Sequence, residues 1–427
     1  MLILLAFKAN ATTYTSATNG NWMNFTTWSP FGVPVPGDVV IINHNVIMDT
    51  TLAYTSGSIT INSGGSLTHD SFGRDIWLNG TSASFTNNGT TTMRNMLLSS
   101  GSFYNTGTFN IKSFANFITL NNSGSFNGVD SLYNNGTINN NGTINIMTFF
   151  NDSIMNNYGT IQGLVTVVDS MWNEGMFLND VGAILKADSA TNNGAFTNNG
   201  TIQYLQFTNY VNGVFQNNNS FSFDDLTNMG DFTNNGTMIG AKSMWNNEVF
   251  DNTINGNITL TISFLNADSL NNTASFNNDG IFDIGDSFYN FNTITGSNTG
   301  SFTMQDTSYN SGTMTGSFDF CDATPAPSSP YIDINVGTVD PLITYCSVTG
   351  IYLHEATNFK IYPNPTKGVV NFGAQNQYIE FYDVLGQQIL KDFANQINLS
   401  SYNKGIYFVV IKDKEGNHLY TEKLIKE

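Results

Sequence analysis

Charged side chains are scarce in this sequence. Lys, Arg, Asp and Glu make up 11% of its 427 residues, less than half of their usual share in soluble proteins. Only 14 are basic, against 32 acids, and Arg74 and Arg94 are the only arginines. Because phosphate binding requires clustered basic side chains, this composition argues against a nucleic-acid partner.

The few bases are unevenly distributed. Eight of the 14 lie after residue 357 together with seven acids, so the tail is near +1 and the rest of the chain near −19. An acidic body attracts cations. Calcium is the one cofactor that this charge makes possible, and no other cofactor is expected.

Cysteines and long apolar runs are also rare. Cys321 and Cys346 are the only cysteines, and in an exported protein such a pair predicts a disulfide; two free buried thiols are the alternative. No stretch reaches the roughly 18 apolar residues of a membrane helix. Residues 1–11, which end in Ala9-Asn10-Ala11, are similar to a partial signal peptide without its basic leader; an ordinary first strand is the alternative.

Residues 74–320 repeat one phrase: an acid, Ser, an apolar residue, any residue, Asn, one residue of any type and Gly. Copies begin at Asp130, Asp169 and Asp188. Most copies are separated by about 17 to 20 residues, and the longer gaps at 130–152 and 242–268 predict loop insertions. Self-similarity with this period indicates a solenoid.

Apolar residues alternate with polar ones inside each copy, as at Ile144 and Ile146, which predicts short strands with one buried face. Asn-Gly pairs such as Asn135-Gly136 tolerate positive φ and suit corners or hairpins. The constant spacing favours stacked coils, in which Asn ladders and Phe stacks form. The predicted fold class is all-β: a single-stranded β-solenoid (parallel β-helix) of about 13 short coils.

Both ends of this stack should carry a cap. Residues 12–73 are interpreted as the N-terminal cap and first strands, and 321–357 as a disulfide-stapled cap and linker. Trp22, Trp28 and the turn Pro36-Gly37-Asp38 resemble the opening segment of many secreted parallel β-helix proteins. The resemblance implies that the two tryptophans cover the first coil.

Residues 358–427 read as a small Ig-like β-sandwich. Four motifs occur there in order, and their principal residues are Tyr362, Pro363, Asn364, Pro365, Gly386, Gly405 and Tyr407. The segment resembles the type IX secretion C-terminal sorting domain of Bacteroidota, although Gln387 replaces the usual basic residue. The resemblance implies export by the type IX machinery, removal of the domain, and attachment to cell-surface lipopolysaccharide or release. A carbohydrate-binding sandwich is the alternative.

No catalytic constellation is evident, and no catalytic residue is predicted. The four histidines are far apart in sequence, and residues 75–320 offer only Arg94, Lys112, Lys186 and Lys242 as strong bases. The Asp-Ser phrase has three interpretations: a corner in which Asp accepts backbone hydrogen bonds, a calcium site formed by stacked acids, or O-glycosylation. Asp-Ser-apolar resembles the O-glycosylation sites of Bacteroidota, which predicts modification at Ser131, Ser153, Ser170, Ser189 and Ser269.

The sequence therefore predicts a secreted or outer-membrane-surface protein with a structural or adhesive role, whose partners include surface glycans or matrix. The alternative is a glycan-active β-helix enzyme, a polysaccharide lyase or hydrolase. It predicts a groove where acids, a base and aromatic side chains converge on two or three adjacent coils. Trp172 and Trp245 discriminate further, because outward-facing rings stack on sugars whereas inward-facing rings belong to the core.

Overall fold

The computed structural model describes residues 11–163, 170–268, 273–325, 331–346, 361–372, 378–383, 387–412 and 418–427. The chain forms two compact units, Met1–Ser347 and Val348–Glu427. Apart from the 3-10 helix Phe25–Thr27, every regular element in the described residues is a β-strand. Almost the whole of the predicted signal segment lies outside the described residues.

The strands of the first unit form one continuous sheet, which is parallel except where Thr13–Ser16 pairs antiparallel with Trp28–Ser29. Those before the repeat are Thr13–Ser16, Gly20–Asn21, Trp28–Ser29, Val39–Ile42, Asn45–Met48, Leu52–Ile61 and Ser66–His69. Those of the repeat are Asp75–Asn87, Thr90–Asn105, Thr108–Asn116, Thr119–Asn122, Ser125–Asn134, Thr137–Asn140, Thr143–Asn151, Ile154–Asn157, Thr160–Gln162, Ser170–Asn173, Met176–Asn179, Ile184–Asn192, Ala195–Asn198, Thr201–Asn209, Val214–Asn217, Ser220–Phe223, Asp225–Asn228, Asp231–Asn234, Thr237–Gly240, Met244–Asn246, Val249–Asn252, Asn257–Leu260, Phe264–Asn266, Ser275–Asn278, Ile281–Ile284, Phe288–Asn290, Thr293–Gly296, Ser301–Met304, Ser308–Asn310, Thr313–Gly316 and Asp319–Asp322, and Ile334–Asn335 and Thr338–Val339 follow.

Each coil crosses three faces, which we call A, B and C in chain order. In one central coil, residues 131–134 lie on face A, Thr137–Asn140 on face B and 143–146 on face C. Every face pairs in parallel with the same face of the next coil. The predicted parallel β-solenoid is confirmed. It has about 14 turns rather than about 13, because strands inside the predicted cap already pair with the coils that follow.

In most coils faces A and B end in a buried asparagine, and these asparagines form two ladders, of which ladder A ends at the exposed Asn335. Ladder A consists of Asn116, Asn134, Asn151, Asn173, Asn192, Asn209, Asn228, Asn246, Asn266, Asn290, Asn310 and Asn335. Ladder B consists of Asn87, Asn105, Asn122, Asn140, Asn157, Asn179, Asn198, Asn217, Asn234, Asn252 and Asn278. Each Nδ2 donates to the Oδ1 of the next asparagine at 2.7–2.9 Å.

The ladders also satisfy the backbone at the corners. Asn122, for example, donates from Nδ2 to the carbonyl oxygens of Gly124 and Thr143 at 3.3 and 3.2 Å. Ladder B begins where the Thr91 hydroxyl donates to Asn87 Oδ1 at 2.9 Å. Buried amides and carbonyls are costly unless they are hydrogen-bonded, so an asparagine at each of these corners lets the chain turn without leaving the core unsatisfied.

Aromatic side chains stack between the ladders. Six phenylalanines on face B form a continuous column with ring centroids 4.4–4.9 Å apart: Phe177, Phe196, Phe215, Phe232, Phe250 and Phe276. Face C ends in apolar residues, such as Ile111 and Leu260, instead of asparagine. The predicted Asn ladders and Phe stacks are thus both present.

The corner glycines have a different role from the predicted one. Positive φ is absent from the described Asn-Gly pairs, including Asn135-Gly136 and Asn141-Gly142. A Cβ at Gly142 would instead press against the carbonyl oxygen of Gly124 in the preceding coil. These positions need glycine because adjacent corners approach closely.

One predicted insertion is wrong. Asn134 and Asn151 are successive members of ladder A, 17 residues apart, so that coil has no extra residues. The next coil, from Asn151 to Asn173, is the longer one, with a spacing of 22 residues. The error arose because Asp152 lies at the A–B corner whereas Asp130 lies at the C–A corner.

The two ends of the solenoid are built differently. Trp22 and Trp28 are buried, with centroids 5.0 Å apart in an edge-to-face arrangement, and each indole N–H donates to a backbone carbonyl. At the other end, a disulfide joins Cys321 to Cys346.

The second unit consists of two small antiparallel sheets that share one core. The first contains Ile361–Tyr362, Val369–Phe372 and Gln396–Asn398. The second contains, in spatial order, Gln388–Asp392, Tyr378–Tyr382, Gly405–Lys412 and His418–Lys426. This arrangement agrees with the predicted small all-β tail domain.

Candidate functional site

The predicted sorting motif contacts the last strand of the chain. Asn364 donates from Nδ2 to the carbonyl of Lys423 at 2.7 Å and accepts from the backbone N–H of Ile425 at 3.0 Å. The bonds preceding Pro363 and Pro365 are both cis. Tyr407 is buried, and its hydroxyl donates to the carbonyl of Asn403 at 2.7 Å. Gly386 lies outside the described residues.

A charge cluster with a buried carboxylate and two more exposed lysines crosses the second sheet of this unit. The Glu380 carboxylate is 2.8 Å from Lys391 Nζ and 2.9 Å from Lys412 Nζ. It also accepts a hydrogen bond from the Tyr382 hydroxyl at 2.8 Å. The hydrogen bond from Lys391, with those from Lys412 and Tyr382, lowers the pKa of Glu380 to about 2, so this carboxylate stays ionised at neutral pH.

Face A of the solenoid carries an outward row of apolar side chains, which we call the face A stripe. Each coil contributes one member, the residue just before the asparagine of ladder A. In the first coils, which precede ladder A, the member is the residue at the same place on face A. They are Trp77, Leu97, Ala115, Tyr133, Phe150 and Trp172, then Thr191, Thr208 and Thr227, then Trp245, Leu265, Tyr289, Tyr309 and Ile334. Trp172 and Trp245 therefore face outward, with 38% and 40% of their surfaces exposed.

Several rings of the stripe are held in place by hydrogen bonds. Trp172 Nε1 donates to Glu174 at 2.5 Å, and its ring lies 5.9 Å from that of Tyr210. The Tyr133 hydroxyl donates to Asp152 at 2.5 Å. Fixed rings lose little conformational entropy when a ligand stacks on them. The adjacent carboxylates make this part of the stripe unfavourable for anionic polymers.

A separate groove of about 460 Å³ opens at the C–A corner near the N-terminal end, and we call it the corner groove. It is bordered by three adjacent coils. Its lining comes from His69, Ser71, Phe72 and Gly73, from Thr92, Met93 and Arg94, and from Asn110, Ile111 and Lys112. The loop that follows the strand Ser66–His69 forms the groove by packing against Arg94. The Arg94 backbone N–H donates to the Arg74 carbonyl, and a Cβ at Gly73 would touch the Arg94 side chain.

Three ion pairs border the corner groove. Arg74 binds Asp70 at 2.7 Å, Arg94 binds Asp75 at 3.1 Å and Lys112 lies 3.5 Å from Asp130. The hydrogen bond from Arg74 lowers the pKa of Asp70, and the hydrogen bond to Asp75 raises the pKa of Arg94.

His69 adds a titratable ring to the groove. Its Nδ1 lies 2.6 Å from the carbonyl oxygen of Asp70. Because a carbonyl only accepts, Nδ1 carries the proton, which leaves Nε2 as the acceptor of the neutral ring.

The predicted glycosylation serines do not form one set. Ser131, Ser170 and Ser189 occupy matching positions on face A. Ser153 lies at the A–B corner, where its carbonyl accepts from Asn151 Nδ2. Ser269 lies outside the described residues, as does Asp169 of the predicted acid stack. O-glycosylation stays a prediction.

Metal and membrane features add little. No three His, Cys, Asp or Glu side chains within the described ranges form a group that could hold a metal ion; calcium binding stays a prediction. The described residues include no helix long and apolar enough to span a membrane.

Comparison with protein families gives one match. Residues 360–427 match the family described as secretion system C-terminal sorting domain. The second unit is thus a type IX sorting domain, which marks proteins that are exported and then attached to or released from the cell surface, and which implies a Bacteroidota origin. Neither the curated proteins nor the solved structures give a match to the chain.

Proposed function

We propose that this protein is an adhesive rod of the bacterial surface, delivered by its sorting domain and binding neutral glycans through the face A stripe. The observation that carries the proposal is the outward stripe itself. Trp77, Phe150 and Trp172 expose between 38% and 45% of their surfaces on one flat face. Rings on the outer side of a solenoid do not belong to its core, so the fold itself does not require them.

The chemistry of the stripe fits sugar rings. Successive coils place the side chains of the stripe about 4.8 Å apart along a line, so an extended polysaccharide meets one apolar run, then hydroxyls, then a second apolar run. Thr191, Thr208 and Thr227 separate the two apolar segments, and their hydroxyls both donate and accept. The acids Asp152 and Glu174 beside the first segment favour neutral over anionic chains.

The test is a binding experiment with the full chain. Cellulose, starch, xylan and chitin are used in pull-down assays, with affinity electrophoresis for the soluble forms. We expect binding to at least one, and a loss of roughly tenfold or more in the variant Trp77→Ala/Phe150→Ala/Trp172→Ala, because each ring contributes about 0.5–1.5 kcal/mol.

The matched control is Tyr104→Ala, which removes an outward ring of face B that is 48% exposed. This variant should bind like the unaltered protein. Absence of binding to every polymer, or equal binding by the triple variant, would contradict the proposal.

The enzyme alternative is favoured by one observation, the corner groove, where bases and an aromatic ring from three adjacent coils lie beside paired acids. Its acids argue for binding instead: arginines hold Asp70 and Asp75, and the pKa of Asp70 is lowered, whereas a general acid needs a raised pKa. Incubation of the chain with the same polymers, followed by a reducing-end and an unsaturated-product assay, separates the two functions.

A further inference from the structure

We propose that the corner groove binds an acidic sugar unit, one that carries a carboxylate or a sulfate, as a second glycan site independent of the face A stripe. Five Lys and Arg side chains belong to the described part of the solenoid: Arg74, Arg94, Lys112, Lys186 and Lys242. Two of them line this groove and a third, Arg74, is in the loop that forms it. Three of the five basic side chains of the described solenoid therefore lie at this corner, each beside one acid.

Two of these cations lie side by side. Met93 pairs with Ile111 across adjacent coils, so Arg94 and Lys112, which follow them, occupy the same corner about 4.8 Å apart along the stack. This spacing separates their backbones, and an anion placed between the two side chains would be attracted by both. Their acids are on the outer sides, Asp75 toward the N-terminal coil and Asp130 toward the next one.

Both cations keep donors for a ligand. Arg94 uses Nε and Nη2 on Asp75, and a guanidinium has five N–H donors. Lys112 Nζ is 3.5 Å from Asp130, and 60% of its side chain is exposed. That distance exceeds a normal hydrogen bond, so the ammonium group turns toward an incoming anion at little cost.

The rest of the groove matches the carbon ring of a sugar. Phe72 exposes 77% of its surface there, and the guanidinium of Arg74 lies 5.6 Å from its ring centroid. Thr92 and Asn110, joined by a hydrogen bond of 3.3 Å, offer a hydroxyl and an amide. The groove volume is within the range of small-ligand sites, about 300–1,000 Å³. An inorganic anion would leave the apolar surface unused.

The experiment titrates the full chain with glucuronate and galacturonate, with their neutral parents glucose and galactose, and with inorganic sulfate, by calorimetry and ligand-observed NMR. We expect an acidic sugar to bind at least about tenfold more tightly than its neutral parent, and more weakly at high salt. Lys112→Gln should weaken acidic-sugar binding at least about fivefold. Phe72→Ala should weaken acidic-sugar binding but not sulfate binding.

Lys242→Gln is the matched control, because Lys242 is paired with Asp224 on a distant coil, and it should bind like the unaltered chain. The thermal midpoints of all variants are compared to exclude unfolding. Equal affinity for acidic and neutral sugars, or no effect of Lys112→Gln, would overturn the proposal. Sulfate binding as tight as glucuronate binding would overturn its sugar component. Neither result bears on the face A stripe.

Discussion

Asparagines stack on both sides of the solenoid wall, and the two sides differ in what the amides do. On face B, Asn139 and Asn156 point outward and bond across coils at 2.9 Å. Beside them, the inward Asn140 and Asn157 make the same bond at the same distance and also bind corner carbonyls. Water can replace the outer bonds but not the inner ones. A buried amide therefore has to keep its hydrogen bond to the next coil, whereas an exposed amide does not.

The same contrast separates folding from function. Inward positions repeat from coil to coil because each must match its neighbours, whereas outward positions are free to vary. The face A stripe and the corner groove are both variations of the outer side. Paired substitutions, one inside and one outside, test this division.

The largest effect is expected from the aromatic column. Phe215→Ala should lower the free energy of unfolding by about 3–5 kcal/mol, because Phe215 is fully buried between Phe196 and Phe232. Phe150→Ala removes an outward ring and should change stability by no more than about 0.5 kcal/mol. Urea denaturation monitored by circular dichroism measures both. Similar losses would mean that the outer ring is part of the structural core.

The ladder comes next. Asn198→Ala should cost about 2–4 kcal/mol, since it leaves Asn179 Nδ2 and Asn217 Oδ1 without their partners in a dry interior. Its outward counterpart Asn139→Ala should cost less than about 1 kcal/mol. The same denaturation experiment applies. Equal losses of unfolding free energy in the two variants would mean that a single ladder asparagine is not needed for stability.

A smaller loss is expected at a corner. Gly142→Ala places a methyl group against the Gly124 carbonyl, and the coils must separate locally at about 1–3 kcal/mol. Asn141→Ala, at the exposed neighbouring position, should be nearly neutral. Hydrogen exchange of the two corner amides reports the local opening. Equal protection in both variants would contradict close approach as the reason for glycine.

The weakest response is expected from acid, at Glu380 of the sorting domain. Ladder amides do not titrate, but the pKa of Glu380 falls from 4.5 to about 2 on folding. Its contribution to stability is complete above pH 4.5 and is lost as the pH falls toward 2. Hydrogen exchange of peptides from 378–412 should show this loss, and Glu380→Gln should abolish that pH dependence. Unchanged hydrogen exchange between pH 5 and about 2.5 would contradict this loss of stability.

The sequence predicted the fold well because the solenoid is one local rule applied repeatedly. Alternation, spacing and stacked like residues indicated parallel coils, and the tail motifs indicated the sorting domain. The reason for the corner glycines was missed, since the distance between Gly142 and Gly124 depends on how coils stack rather than on either residue. Because the register of the coils was ambiguous in the same way, Asp152 was assigned to the same position in the coil as Asp130.

The candidate sites were predicted less well. Arg94 and Lys112 were recognised only as separate bases, because the groove depends on the loop at Phe72 that precedes them by a coil. The orientation of Trp172 was left open for lack of register. One signal was available: once Asn173 is assigned to the buried ladder, the residue before it must point outward, and this rule identifies the stripe.

The two ladders have a direction, and it bears on how such chains change length. Every Nδ2 points toward the C-terminal neighbour, as between Asn87 and Asn105 or between Asn290 and Asn310. A stack of any height therefore presents an acceptor at its first rung and a donor at its last. In ladder B the Thr91 hydroxyl fills the first and the Ser301 carbonyl the second. Duplication or deletion of whole coils leaves both ends of the ladders as they were. The length of the solenoid can therefore change in evolution without substitutions at its ends.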